Sequence, residues 1–466
     1  MTRGFVLSFV HTQSIPFDFL TIMPSHVYPI EKIVHGGFGL SHTEEGQVVL
    51  LEEAISDETV QAKIHNTTKN LLQGVVTKVI TPSVHRIQAP CPHYRKCGGC
   101  DFQHMEYSFQ LQAKHDIIKD LLLRSGHPDL RHAAALLLKP LASPQQINYR
   151  QRIRLQVDDQ QIVGFHKRRS HNCVAIRDCL LAEPAINNCL EKLHQQKSFD
   201  KLLAQTDAVE ILLNPNSSRI SIVIHYKRKP RPADKLYARD LAESLSEVED
   251  IFFMGNTFAV TGHSNLSFTL PPIASHTEKS LCLSWESGGF CQVNIEQNST
   301  LIQTVLDFCQ TESEDDILDL FCGMGNFSIP LAEKAGTVLG IEGQASAIRS
   351  AKKNSAKAHQ KNTDFIKRPI HDACKELVQD SRMFDCIVLD PPRQGVPGLA
   401  RKLGSLCRKR MVYISCDPAT LCRDLAELSG QGFILKTLQP IDMFPQTHHI
   451  EMIVLLEKQN SLPGMR

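Results

Sequence analysis

The chain is short of several things, and each shortage excludes a class. No apolar run approaches the ~20 residues that a membrane-spanning helix needs, so no membrane span is expected. Positive charge is hardly in excess, at +1 net. That excludes a basic coat for nucleic acid and confines any nucleic-acid surface to a local patch. At 42% hydrophobic and 22% charged residues, nothing is missing that a globular protein needs, so disordered and fibrous classes drop out. The 15 cysteines are odd in number and scattered. They do not form a disulfide framework; they point to reduced thiols in the cytosol, with metal or catalytic roles for a few. The first twenty-odd residues are weak as a secretory leader. The stretch GFVLSFVHTQSIPFDFLTIM is broken by His11, Gln13 and Asp18 and has no clear small-residue cleavage site. Residues 1–24 read as a loose extension or a start placed too early, since Met23 could open the chain. At 466 residues, two to four domains are expected.

What is present is organised around VYISCDPATLCRDL, Val412 to Leu425. An apolar β-type run stops at Ser415, and Leu421, Leu425 and Leu428 then fall on one helical face. Asp417 suits the N-cap and Pro418 the first helical position. Cys416 therefore sits where a buried strand meets a helix, the edge at which open α/β sheets bind ligands. The helix dipole there favours thiolate, so Cys416 is a candidate nucleophile, against the alternative of a small core cysteine.

Before it, from about residue 25 to 85, come YPIEKIV, GQVVLLEEA, TVQAKIHN and QGVVTKVI. Short strands separated by glycine turns predict a small barrel of a kind that often binds RNA. Then follows CPHYRKCGGCDFQHM, with Cys91-x5-Cys97-x2-Cys100. Three thiols so close, with Gly98 and Gly99 between two of them, make a metal nest. The fourth ligand is open on spacing alone. His93 and His104 would suit zinc, and Cys173 or Cys179 would complete an iron–sulfur set.

The region to about residue 285 carries NYRQRIRLQV. On a strand, Arg150, Arg152 and Arg154 would share one face and repel unless phosphates or acids meet them. GFHKRRSH and HYKRKPRP add basic runs, the latter most simply a solvated face. From about residue 286, apolar strands alternate with helical stretches, the pattern of a parallel sheet covered on both faces. Gly323-Met324-Gly325 lacks the third glycine of a dinucleotide fingerprint, Ser328 holding that place. Glu342 ends the next strand, where a carboxylate can bind ribose hydroxyls. Asp390-Pro391-Pro392-Arg393 ends a later one. Together the three suit an adenosyl ligand. Glu451 opens the last strand, where partial burial would raise its pKa toward that of a useful base.

These stretches, CPHYRKCGGC, GGFCQVN, DLFCGMGNF, VLDPPRQG, SCDPATL and HHIE, resemble the bacterial RNA uracil-5-methyltransferases, most strongly the iron–sulfur type that acts on 23S ribosomal RNA. The likeness runs from about residue 25 to the end. It implies an α/β fold in which residues 286–466 form a class I methyltransferase, a Rossmann-like seven-stranded sheet with one antiparallel strand. Residues 25–85 would be an OB-like TRAM barrel that binds RNA. Residues 86–285 would be a central α+β domain, binding RNA and holding a four-iron four-sulfur cluster on Cys91, Cys97, Cys100 and Cys179. By the same resemblance Gln292, Phe321, Asn326, Glu342 and Asp390 line the S-adenosylmethionine site, Cys416 is the nucleophile and Glu451 the base. Uracil C5 is a poor nucleophile until a thiolate adds at C6. The target base must leave its stack to reach Cys416. The chain departs from the family at Pro369 and Ile370, where an acid or amide often stands near the adenine and Asp372 could substitute. It departs again at Ala54 to Glu58, where a Pro-Gly turn is common. The expected protein is a cytoplasmic monomer with 23S ribosomal RNA as substrate. The alternatives are the same chemistry on transfer RNA uridine and a non-catalytic iron–sulfur RNA-binding protein.

Overall fold

The computed structural model describes residues 26–459, apart from 257, 259, 263, 274 and 275. The chain divides into two compact units, residues 39–82 with the preceding segment to Lys32, and Ser83 onward with Ile33–Phe38. The extension, residues 1–24, lies outside the described residues.

In the first stretch β-branched residues alternate with polar ones and build six short strands. They are β1 Val27–Pro29, β2 Lys32–Val34, β3 Phe38–His42, β4 Val48–Glu52, β5 Thr59–Thr67 and β6 Leu71–Thr81. Their order is β1-β5-β6-β4-β3-β2. The run YPIEKIV, read above as one strand, breaks at a corner. Ile30 N–H donates to Glu58 O (2.8 Å) and Glu31 N–H to Leu40 O (2.9 Å), so adjacent residues bond to opposite sides of the sheet. Tyr28, Ile30, Val49, Leu51, Val60 and Val76 fill the inside. At Ala54 to Glu58 the turn is made without glycine: Glu53 and Asp57 are left-handed (φ 65° and 66°), and Glu58 accepts the Ile55 N–H (2.9 Å).

The second unit opens with the cysteine loop, then α1 Tyr107–Arg124 and α2 Pro128–Ala133. Next come β7 Arg152–Val157, β8 Val163–His166, β9 Cys173–Ala175, α3 Pro184–Leu193, α4 Lys197–Leu203, β10 Thr206–Leu213, β11 Ile220–Tyr226, α5 Pro232–Ser244 and β12 Val248–Met254. The six strands form one sheet, ordered β12-β11-β10-β7-β8-β9. Ile153, Leu155, Val209, Ile211, Ile222 and Ile224 pack from one face with Ile186, Leu190, Phe199 and Leu241. The other face carries Arg152 and Arg154, and the acid that meets them is internal. Glu210 of β10, buried, lies 2.7 Å from Arg152, 3.7 Å from Arg154 and 2.9 Å from His225. Arg150 does not share this face. The chain bends at Gln151 and the strand begins only at Arg152, so the two-residue alternation does not extend back to residue 150, and Arg150 lines the cysteine cavity.

A hairpin, β13 Asn265–Leu270 and β14 Leu281–Glu286, leads to α6 Ile295–Cys309. Then follow β15 Asp316–Leu320, α7 Ser328–Leu331, β16 Thr337–Glu342, α8 Ala345–Lys357, β17 Thr363–Lys367, α9 Ile370–Gln379 and β18 Phe384–Leu389. The chain closes with α10 Ala400–Leu406, β19 Cys407–Ser415, α11 Pro418–Ser429, β20 Phe433–Ile441 and β21 Glu451–Lys458. The sheet order is β17-β16-β15-β18-β19-β21-β20. All pairs are parallel except those of β21, which runs antiparallel to both neighbours. This is the expected class I methyltransferase sheet. Its central strands read as continuous apolar runs because helices cover both faces; β18 is buried at every residue. No helix among the described residues is long and apolar enough to cross a membrane.

Candidate active site and cysteine cavity

The site is built at the ends of β15, β16, β18 and β19 and at the mouth of β21. After β15 the backbone turns sharply, with Phe321, Gly323 and Gly325 all left-handed (φ 64°, 55° and 87°). A Cβ added at Gly323 would meet no atom within 4 Å, so the conformation alone calls for glycine, and the residue faces open space. Gln292, Phe321, Gly323, Asn326 and Asp390 line one cleft, with Phe290 exposed at its side. Asn326 exchanges two amide hydrogen bonds, each 3.0 Å, with the buried Asn298 of α6. Glu342 ends β16 and accepts the Gln344 N–H (2.8 Å). The turn and β16 are tied together, since Phe321 N–H donates to Ile341 O (2.9 Å). Asp372 lies in the first turn of α9.

A residue that the sequence reading passed over sits beneath this cleft. Asp319 of β15 is wholly buried. One carboxylate oxygen accepts from Ser328 Oγ, and the other has no partner among the described residues. Burial pushes its pKa up to about 7, the charges of Asp390 and Glu342 adding to the shift. An orphaned buried acceptor beside an open glycine cradle suits a ligand with donors of its own, as the amino acid and ribose ends of an adenosyl cofactor have. Asp319 occupies an inward position of an apolar strand, the only sequence cue to it.

Cys416 stands between β19 and α11 as expected. Asp417 caps the helix by accepting the Thr420 N–H (2.9 Å), and Pro418 follows. Thr420 Oγ1 donates to Arg393 O (2.9 Å), which ties the Asp-Pro-Pro-Arg loop to the same helix start. The half-buried thiol does not show the lowered pKa expected from the helix end. Burial first, then Glu451 and Asp390, raise it to about 11, the Arg393 guanidinium opposing them. Burial, with two nearby carboxyl groups assisting, outweighs the partial charge of one helix terminus.

Glu451 is buried at the start of β21 and its carboxyl is held well above the ordinary range, first by burial and then by Asp390. Burial likewise pushes Asp390 up to about 7. His449 lies 3.4 Å from Arg393 and is pushed down to about 3 by burial, with the nearby His448 and Arg393 charges assisting. It is therefore a neutral imidazole at working pH. Arg393 stands in the quoted motif without a role; the structure sets its guanidinium beside His449 and near enough to the Cys416 thiol to favour its ionised form.

The second feature is a cavity lined by Cys91, Cys97, Cys100 and Cys179, together with Arg150 and Gln103. Burial raises the pKa of Cys97 and Cys179 and takes Cys100 to about 12. Each of these three thiols also feels at least one other thiol of the four. Cys173 is buried in β9, away from the cavity lining. Among the described residues no group of three or more Cys, His, Asp or Glu stands close enough to hold a single metal ion.

A seven-stranded sheet of this order with a glycine cradle at its edge is the fold of a class I methyltransferase that uses S-adenosylmethionine. The chain belongs to the tRNA (uracil-5-)-methyltransferase family, whose model matches residues 106–459. It is 32% identical to the 23S rRNA (uracil(1939)-C(5))-methyltransferase RlmD of Halomonas elongata, over 93% of this chain and 89% of that protein. The enzyme of the same name from Vibrio parahaemolyticus is 28% identical over 92% and 95%. In fold it is similar to the Pyrococcus abyssi tRNA (uracil-54, C5)-methyltransferase solved with S-adenosyl-L-homocysteine. The TM-score is 0.68 at 20% identity, over 92% of this chain and all of that one.

Proposed function

We propose that the chain transfers a methyl group from S-adenosylmethionine to C5 of a uridine in 23S ribosomal RNA. The observation that carries the reading is the convergence of Cys416, Glu451, Asp390 and Arg393 beside a glycine cradle. The names of the relatives support ribosomal RNA as the substrate.

When bound, S-adenosylmethionine supplies an electrophilic methyl group; Gln292, Phe321, Asn326, Glu342 and Asp390 would hold it. Cys416 loses its proton within the carboxylate cluster, and its thiolate adds to C6 of a flipped uridine. The charge spreads to C5, which takes the methyl group. Glu451 then removes the C5 proton, the C5–C6 double bond re-forms, and the thiolate leaves. A base with a raised pKa, shielded from bulk water, suits that last step. Arg393 opposes the charge build-up as the thiolate forms.

In this reading Cys91, Cys97, Cys100 and Cys179 hold a four-iron four-sulfur cluster. Four thiols around one cavity suit a multi-iron cluster, in which each iron takes one thiolate, better than a single ion. Arg150, a cation in the same lining, offsets the negative charge of such a group. Bound there, the cluster would supply a cross-link between two loops and a redox centre. Iron and sulfide analysis of anaerobic protein tests this. Cys179→Ala should lose the iron and Cys173→Ala keep it; one zinc per chain without iron would overturn it. The enzyme would act as a cytoplasmic monomer, with the barrel of residues 25–85 and the central region 86–285 holding RNA. Mass mapping of methylated uridines from a deletion strain tests the substrate. One 23S uridine should lose its methyl group, whereas loss confined to transfer RNA would move the activity there.

A further inference from the structure

The loop that carries Cys97 and Cys100 continues directly into a set of bonds to the segment ahead of Glu451. Asp101 and Phe102 both donate their N–H groups to Gln446 O, each at 3.1 Å. Gln446 is buried and left-handed, with φ 68°. A non-glycine residue holds that conformation only where its surroundings fix it. Here they do. Its N–H donates to Gln110 Oε1 (3.0 Å), and its own Oε1 accepts from Gln110 Nε2 (3.0 Å). The same Gln110 amide donates to Phe102 O (3.2 Å) and Met105 O (3.0 Å). Two residues further on, His448 Nδ1 lies 2.6 Å from Asp101 Oδ2. Asp101 is itself gripped: Arg168 lies 3.5 Å away and donates to Cys100 O, and Tyr94 OH donates to Asp101 O (2.6 Å). Beyond His448 come His449, facing Arg393, and then Glu451.

The catalytic glutamate therefore follows a hook of chain whose shape is set from outside, by the residue next to a cysteine ligand. We infer that Asp101 is a positioning residue for Glu451: through His448 and the Gln446 turn, the cysteine loop holds the base at its working place. This rests on the proposed roles of Cys416 and Glu451. Cys416 reaches the site by a separate route, on β19 and α11, so the two halves of the reaction should separate. Thiolate addition and methyl transfer depend on Cys416. Release depends on Glu451, which takes the C5 proton as the C5–C6 bond re-forms and the thiolate departs.

The test uses the full-length, iron-loaded protein, methyl-labelled S-adenosylmethionine and a uridine-containing 23S RNA fragment. Formation and decay of the labelled covalent adduct are timed separately on denaturing gels. Asp101→Ala should form adduct within about twofold of the wild-type rate and release it about 10- to 100-fold more slowly, the scale of an ångström-level misplacement. Amide hydrogen exchange over residues 446–452 should quicken in parallel. If Asp101→Ala loses iron or folds poorly, His448→Ala breaks the same link from the side without a cysteine neighbour, and it should give the same split. Equal loss of formation and release, or unchanged release, in the folded variant would overturn the inference. A wild-type enzyme that forms no adduct would instead overturn the reading of Cys416 on which it rests.

Discussion

Two strand-to-helix turns lie on the same sheet edge and do opposite things with their backbones. The turn after β15 has three left-handed residues, Phe321, Gly323 and Gly325, over a buried acid with an unfilled acceptor. The turn after β19 has ordinary extended geometry at Asp417 (φ −133°), a side-chain cap and a proline. The first gives up side chains to make a hollow; the second fixes the backbone so that one side chain, Cys416, projects. The same topological position thus serves to receive a ligand in one case and to present a nucleophile in the other.

The comparison breaks most severely at the nucleophile. Cys416→Ala should give no covalent RNA adduct and no methylated product, yet bind S-adenosylmethionine within about twofold of wild type, because nothing in the hollow has changed. An adduct that persists would shift the role to another thiol, Cys422 first. A smaller effect follows on the other turn. Glu342→Ala should weaken cofactor binding by about 1–3 kcal/mol, the scale of lost charge-assisted hydrogen bonds, and calorimetry showing unchanged affinity would remove it from the site. Gly323→Ala should cost less, about 1–2 kcal/mol, the strain of a left-handed L-residue. It should appear in cofactor affinity while adduct formation at saturating cofactor stays normal; a loss at saturation would mean that the turn also shapes the nucleophile's surroundings.

The smallest effect is a pH displacement. Glu451 acts as a base only when ionised, and both burial and Asp390 raise its pKa. The rate of adduct release should therefore fall as pH is lowered. Asp390→Asn removes the second cause, lowers the pKa of Glu451, and should move that limb to lower pH at saturating cofactor. A shift upward, or none, would uncouple the two carboxylates.

The fold was legible where local pattern decides it. Apolar runs, turns and the caps at Asp417 and Pro418 mark a parallel sheet covered on both faces, whereas its seven strands and one antiparallel member are implied only by the family resemblance. Legibility failed where a distant group decides. Arg150 read as the third member of a basic face because alternation was extended past the strand's true start; it lines the cysteine cavity instead. Cys416 read as an acidified thiol because the helix end is local and visible, whereas Glu451, on another strand, is not. Asp319 left no signal beyond being an acid in an apolar strand. Asp101 and Gln446 could not have been paired from sequence, being joined only by the packing of the cysteine loop on the segment before β21.

The central claim is that Cys416 acts before methyl transfer and Glu451 after it. The direct test is Glu451→Gln with methyl-labelled cofactor and the 23S fragment, run on a denaturing gel. Glutamine keeps the size of the side chain but cannot take the C5 proton, so addition and methyl transfer should proceed and then stall, leaving a covalent protein–RNA complex that carries the label. Normal turnover with no labelled adduct would show that Glu451 is not the base.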